Sequence, residues 1–597
     1  MPEKKTQNSR LSEWISAAVL LIAYFIYWLL QIRPELCFQA QQPLFLTGTA
    51  FLRQFFSRPG GLLEYASHFL SQSFLAPFLG AACMTLIAGL IIYFTWRFCG
   101  KSYLLLHFIL LPPLVSLYSR QGFPLNPALG MLLTLAILNV YQIIRPRNPG
   151  LRIAVLLVFA AAAHLLAGGW LLFFSAVAAV YEWTETGSPQ GRIAPVPLLA
   201  AAALLLPFLS SSRLFTTSLS EAYFSNLPFF HEQAIPPAAW ALLVIPPALL
   251  ALRGLWEKDS FFGRRNLLTA GISFVVLAGL GVAASTVSFD KKASDSLKVD
   301  LMARQGKWKE ILDFVRMNPA RDHSTVVYTN LALCRTGRLS ESMFSFNQEL
   351  GATGLLPPGG VGSSPPLQRS DIFLAIGLVN ESKHWAYESL TSHDESPYTL
   401  IRLAQVHALK DDAVMASRYV KILGRSPAFR SYPLGFEIKG GRIEVMDADL
   451  RAMQDRMPLR DFVINAYDPP DYLKKLLEQA PGNREAFEYL AAFYLLNGDL
   501  ESFADEMRHA GRFGYRELPR HFQEALILYL NQNPSRVGDF KDMTVNRNIL
   551  DGFREFQKTL SNYKNNRAAA RPVLRKNLGG TYWYFALYIL PTARQAA

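Results

Sequence analysis

Apolar and polar residues follow two regimes along this chain, and the regimes change over near Asp290. Before that point long apolar stretches succeed one another with little charge; after it, short amphipathic segments alternate with turns. A bilayer's hydrocarbon core, about 30 Å thick, takes roughly 20 apolar residues in helix, because the backbone there must satisfy its own hydrogen bonds. Stretches of this kind fall near 14–32, 75–96, 102–118, 127–144, 152–168, 170–183, 194–210, 236–253 and 267–288, and predict about nine spans. The first, WISAAVLLIAYFIYWLLQI, follows Lys4, Lys5 and Arg10, and RPELC after it offers no small-residue cleavage site. It reads as an uncleaved anchor.

Basic residues test this scheme, since short cytoplasmic loops carry an excess of Lys and Arg. With the amino terminus inside, the inner loops hold Arg97 and Lys101, then Arg145, Arg147 and Arg152, then Arg192, then Arg253, Lys258, Arg264 and Arg265. The short outer turns hold Arg120, nothing at Gly168–Gly169, and Arg213. Trp14, Trp28, Trp96, Trp170, Trp183, Trp240 and Trp256 fall near span ends, as interfacial anchors do. An odd span count places everything after Asp290 on the outer side. In a Gram-negative host that means an inner-membrane protein with a cytoplasmic amino terminus and a periplasmic carboxy-terminal domain. The span cores read as free of Asp, Glu, Lys and Arg, leaving His107 and His164 as packing histidines. Ion-coupled transporters place charge in their spans, so this pattern argues against one.

The first outer loop, 33–74, holds PLFLTGTAFLRQFF and GLLEYASHFLSQSFL around a breaking turn, Ser57-Arg58-Pro59-Gly60-Gly61. In the second piece Leu62, Leu63, Ala66, Phe69, Leu70 and Phe74 share one face, and Glu64, Ser67, His68, Ser71 and Gln72 the other. That periodicity predicts an amphipathic helix lying in the membrane interface, packed over the rim of the bundle or serving as the lid of a substrate site.

After Asp290 the charge density more than doubles: residues 1–290 hold 18 basic and 11 acidic residues, the following 307 hold 41 and 35. The overall charge of +13 therefore comes from membrane-flanking loops and a nearly balanced surface, without the basic–aromatic runs of a nucleic-acid binder. Four cysteines, Cys37, Cys83, Cys99 and Cys334, are too few and too scattered for a disulfide framework or a CxxC metal site. The expected fold is all-α: a polytopic membrane helix bundle over 1–290, then an α-helical repeat domain over 291–597. RSYPLGFEIKGGRIEV (430–445) predicts one small hairpin within it, and TYWYFALYIL (581–590) a last packed helix too short to span.

Helix-turn-helix spacing recurs in this second half. In EYLAAFYLLNGDLESFADEMRHA, Leu490, Ala491 and Tyr494 precede a turn at Gly498, and Phe503, Met507 and Ala510 follow it. LMARQGKWKEILDFV (Met302, Gly306, Trp308, Ile311), RLAQVHALKDDAVMASRYV (Leu403, Ala404, Ala416, Val420) and YTNLALCRTGRLSESMFSF (Gly337) repeat the scheme. These stretches resemble tetratricopeptide repeats, which implies a surface that binds a protein partner.

No HExxH, GxSxG, paired CxxC, Walker loop or helix-opening GxGxxG is present. The layout of one span, a large outer loop with two surface helices, paired spans and an outer domain resembles GT-C glycosyltransferases. It also resembles an uncharacterised group of multispanning bacterial envelope proteins. The GT-C resemblance implies a polyprenyl-linked sugar donor, an outer carboxylate as base or as holder of a divalent metal, and arginines for the lipid phosphate. No Asp precedes Asp259, so the usual loop aspartate is missing and Glu35 and Glu64 stand in its place. Arg33, Arg53, Arg58 and His68 would serve as phosphate or proton partners, with Glu221, His231 and Glu232 in the second outer loop. No resident cofactor is expected otherwise. The partners expected are membrane lipid and a protein on the repeat domain, and no nucleic acid.

Overall fold

The computed structural model describes residues 2–100, 103–185, 195–230, 236–253, 267–319, 321–358, 365–392, 396–515, 517–541 and 543–596. His231, Glu232, Lys101, Arg192, Lys258, Arg264 and Arg265 lie outside them. Two compact units emerge, Met1–Ser294 with Arg425–Ala428, and Asp295–Gly424 with Phe429–Ala597.

The first unit is built of helices joined by short loops, with no strand among its described residues. Six helices are long and apolar enough to cross a membrane: Leu11–Ile32, Pro77–Phe98, Asn126–Ile144, Pro149–Ala167, Pro195–Arg213 and Leu268–Ser288. The other three predicted spans are shorter helices. Leu104–Tyr118 is interrupted by a 3-10 turn at Phe108–Leu110, Trp170–Glu185 has 16 residues, and Pro237–Ala251 has 15. At 1.5 Å per residue they extend about 24 Å or less, below the hydrocarbon thickness. Paired prolines accompany two of them, Pro112–Pro113 at the start of Leu111–Tyr118 and Pro246–Pro247 inside Pro237–Ala251.

Side-chain placement within the long helices follows what faces outward. On the first helix Ile15, Val19, Ile22, Ile26 and Leu30 are exposed at helical spacing, while Ala17, Leu20, Tyr24, Trp28 and Ile32 are buried. An apolar stripe on the outward face is stable only where the solvent is lipid. Leu268–Ser288 repeats this with Leu268, Ile272, Val275, Val276 and Leu280 exposed.

Polar bonds at the helix ends gather the loops into two groups. Gln121 Nε2 donates to the Ile32 carbonyl (2.8 Å) and to Ser294 Oγ (2.9 Å), and Gln41 Nε2 to the Phe123 carbonyl (3.0 Å). Asn226 completes this group: its Nδ2 donates to the Gly60 carbonyl, its Oδ1 accepts from Asn126, and its carbonyl accepts from Trp170 Nε1. In the second group Leu104 N donates to Glu13 Oε2, Gln142 to the Phe98 carbonyl, Arg253 to Glu185, and Arg145 and Arg152 pair with Glu182. The Arg152–Glu182 pair, with the turn at Gly168 (φ +67°), makes Pro149–Ala167 and Trp170–Glu185 an antiparallel helical hairpin.

The second unit is built from helix pairs joined by one repeated turn. At Gly306, Gly337, Gly377, Asp411 and Gly498 the backbone enters the left-handed region after the first helix. The next amide returns to the carbonyl five residues back: Lys307 to Met302, Arg338 to Leu333, Leu378 to Phe373, Asp412 to His407, Asp499 to Tyr494. This doubly bonded C-cap satisfies carbonyls that a helix end leaves orphaned. Of the apolar residues predicted to face the next helix, Leu490, Ala491, Phe503, Met507, Leu403, Ala404 and Ala416 are buried, whereas Trp308 and Val420 are half-buried. The predicted hairpin is present as Phe436–Lys439 antiparallel to Arg442–Val445, turning at Gly440–Gly441. The last apolar segment packs inward, with Tyr582, Trp583, Tyr584 and Phe585 buried against Phe344 and the helix Arg520–Gln532.

Candidate functional site

The six residues singled out in the first outer loop divide into two groups. Pro34–Gln41 begins directly after Arg33, whose positive φ of 61° turns the chain away from the first helix. There Arg33 Nε and Nη2 reach Glu35 Oε1 at 2.9 and 2.8 Å, while Glu35 Oε2 is buried without a hydrogen-bond partner. The breaking turn positions the second group. A Cβ on Gly61 would lie 1.7 Å from the Phe55 carbonyl oxygen, so only glycine lets the chain fold so close here. Arg58 then donates to Glu64 Oε1 at 2.7 Å and lies 3.7 Å from Glu221 on the short helix Leu219–Phe224. His68 Nδ1 is 2.9 Å from the Leu44 carbonyl oxygen, its ring among Phe51 and Phe55, and Arg53 is exposed on the helix Thr49–Phe55.

The helix Gly61–Ser71 itself is turned differently from its predicted orientation. Leu63, Ser67 and Ser71 are buried, whereas Phe69 is 55% exposed beside Phe45. Two small hydroxyls fit closely against neighbouring helices, and an outward phenylalanine is tolerated where the surroundings are apolar. Among the described residues no three His, Cys, Asp or Glu side chains converge into a metal site. Glu64 and Glu221 are both engaged by Arg58 instead.

Two buried charge clusters were not foreseen. In the first unit Glu182 has no exposed side-chain area and accepts from Tyr141 (2.6 Å) and Arg145 (2.8 and 3.0 Å), with Arg152 Nε at 3.4 Å. Glu182 lies at the inner end of the predicted span 170–183, outside its core, and went unremarked in the sequence.

The second cluster lies in the second unit, where the first helices of four successive pairs each contribute one charged side chain. Arg304 ends Lys291–Arg304, Arg335 ends His323–Arg335, Asp371 lies in Pro366–Ala375 and Arg402 in Pro397–Leu409. Asp371 accepts from both sides: Arg304 at 2.6 and 3.1 Å, Arg402 at 2.6 Å. Arg304 also reaches Asp300 at 3.3 Å and bonds Tyr328, whose hydroxyl lies 2.8 Å from Asp300. Arg335 pairs with Asp449 at 2.6 Å and lies over the Trp308 ring. Together with Tyr398, Gln405 and Tyr432 these arginines line a cavity of about 100 Å³. Burial opposes the charge on Arg304, but Asp371, Tyr328 and Asp300 together raise its basicity well above the usual value. At Arg402 burial wins, and Asp371 offsets it only in part, so its basicity is lowered.

A model of a family of unknown function, DUF6057, matches residues 9–589. The chain belongs to the DUF6057 family. The match runs through both units, so the family is defined by the membrane bundle and the helix-pair unit together. No curated protein and no solved structure matches this DUF6057 member. Its arginine cavity has a local signal that periodicity passed over: ARQGK and CRTGR place an arginine two residues before the turn glycine in successive pairs. Helix geometry then brings Arg304 and Arg335 to equivalent positions. Asp371 and Arg402 carry no such mark, because their meeting depends on how later pairs stack.

Proposed function

We propose that this DUF6057 member is a nine-span inner-membrane protein that presents an extracytoplasmic, tetratricopeptide-like domain to a protein partner in envelope assembly. The observation that carries the docking role is the stretch 459–467. Leu459, Val463 and Tyr467 are 88%, 90% and 76% exposed, while Phe462 and Ile464 between them pack on the core. Large apolar side chains presented in a row on a charged, water-facing unit mark a contact surface. Support for the span count comes from the loop ends. Every predicted outer loop that bonds across the bundle, and Ser294 at the end of the first unit, falls in one group, and the predicted inner ends fall in the other. The three short helices would then cross by thinning the bilayer locally, with aromatic and basic residues at their ends.

Placing a photoreactive side chain at Val463 of the full-length protein in native membranes tests the docking role. One specific partner is expected, lost when Leu459→Asp is added while the chain stays folded, and absent when the probe is at exposed Lys558. Equal capture from both positions, or capture indifferent to Leu459→Asp, refutes the reading.

A second reading is a GT-C-like, polyprenyl-dependent glycosyltransferase. It is favoured by Glu35 Oε2, a buried acceptor without a partner beside an arginine. A carboxylate so placed suits proton abstraction from an acceptor hydroxyl. Glu35→Gln should then abolish a surface glycan that Lys558→Gln, at an exposed position outside this site, leaves intact; normal glycans in Glu35→Gln and Glu64→Gln cells exclude it.

A further inference from the structure

The arginine cavity of the second unit has more buried positive than buried negative charge. Arg304, Arg335 and Arg402 are 7%, 8% and 16% exposed, but only Asp371, at 7%, is a carboxylate buried to the same degree. Asp300 and Asp449, the remaining carboxylates bonded to these arginines, are 23% and 69% exposed, so solvent screens their contribution. Hydrogen bonding is equally incomplete. The Nε–H groups of Arg335 and Arg402 are buried without an acceptor, although buried donors in folded proteins are almost always satisfied. Tyr398, Tyr432 and Gln405 add polar atoms to the wall, and Trp308 provides an apolar face beneath Arg335. The volume of about 100 Å³ exceeds what one water fills and suits a group of a few heavy atoms.

We infer that this cavity is a binding site for a carboxylate, held between Arg335 and Arg402. The missing elements are a negative charge and two acceptor oxygens, and a planar carboxylate supplies both to guanidinium donors. Asp371 shows the same chemistry within the cluster, bridging two arginines with its two oxygens. A phosphate carries further oxygens and charge for which the site offers no third open donor set, since Arg304 is already committed to Asp300 and Asp371. The carboxylate belongs either to a free organic acid or to a peptide. This inference is independent of the docking stretch at 459–467.

Calorimetric titration of the full-length protein in detergent at constant ionic strength decides the matter. The probes are acetate, succinate, inorganic phosphate, and penta-alanine with a free or an amidated carboxy terminus. Saturable binding of a carboxylate is expected, weakened at least tenfold by Arg335→Gln, retained in part by Arg335→Lys, and unaffected by Arg338→Gln at an exposed position. Binding of acetate or succinate alone identifies a free acid; binding of the free but not the amidated peptide identifies a chain terminus. Absence of saturable carboxylate binding overturns the inference, as does a preference for phosphate. Equal affinity in Arg335→Gln, with its thermal unfolding unchanged, overturns it too.

Discussion

Glu182 keeps a carboxylate at zero exposure because Tyr141 and Arg145 donate to it and the Arg152 guanidinium lies beside it at 3.4 Å. Such a group is held by its partners, and removing it leaves two guanidiniums facing an apolar interior. Glu182→Ala is therefore expected to destabilise the membrane unit by roughly 3–5 kcal/mol, read as a lower thermal unfolding midpoint in detergent. Glu182→Gln, which still accepts one hydrogen bond, should fall between that variant and the parent. His407 makes a second residue-scale case. Its partners assign a neutral ring, with Nδ1 donating to Asp412 (3.0 Å) and Nε2 accepting from the Tyr387 hydroxyl (3.0 Å), which in turn accepts from Tyr419. Burial lowers the His407 pKa below 6.5, with Asp412 pulling the other way. The unfolded chain therefore binds the proton more readily, and His407's contribution is lost as pH falls from about 6.5 through the lowered value. The unfolding midpoint of the second unit should drop over that window, and His407→Gln should flatten the drop.

At the scale of elements, the repeated turn decides most of the second unit. Four of the five left-handed positions are glycine and one is Asp411, at φ 56°. A non-glycine residue in that region costs about 1–2 kcal/mol. Gly498→Ala should destabilise by about that amount, and Asp411→Gly should stabilise by up to about 1 kcal/mol; chemical denaturation of the two variants measures both. The turns at Gly306, Gly337 and Gly498 were legible because glycine stood where a 3.6-residue period broke off; those at Gly377 and Asp411 were not marked. The facing of Gly61–Ser71 was not legible. Its period marked the helix correctly, but the inward choice of Leu63, Ser67 and Ser71 reflects how closely the neighbours approach, and next to lipid an outward Phe69 costs little. The same blindness explains Glu182. Hydropathy averages over a window, and one acid among apolar neighbours disappears unless its arginines, two loops and a turn away, are already placed.

For the whole molecule, apolar length located the long helices of the bundle, yet among the described residues length alone separates six clear spans from three shorter apolar helices. What hydropathy lacked was the set of bonds between loop ends, which depends on three-dimensional neighbours. Topology can be tested cleanly because Cys37, Cys99 and Cys334 are buried and Cys83 is half-buried. A membrane-impermeant maleimide should label Leu459→Cys, at an 88% exposed site, from outside intact spheroplasts, and should label Arg147→Cys only after lysis. The opposite pattern inverts the topology.

The fastening of Tyr582–Phe585 onto Phe344 and Glu524 sets an order of events during synthesis. Helix pairs near 300–340 emerge from the ribosome some 240 residues before the strap that closes over them. Early pairs therefore await their final covering in an open state, with Phe344 and its neighbours available to a chaperone. A nonsense codon near 580 would leave that window permanently open. Such a product should be recognised by quality-control proteases although nearly all of its chain has been made.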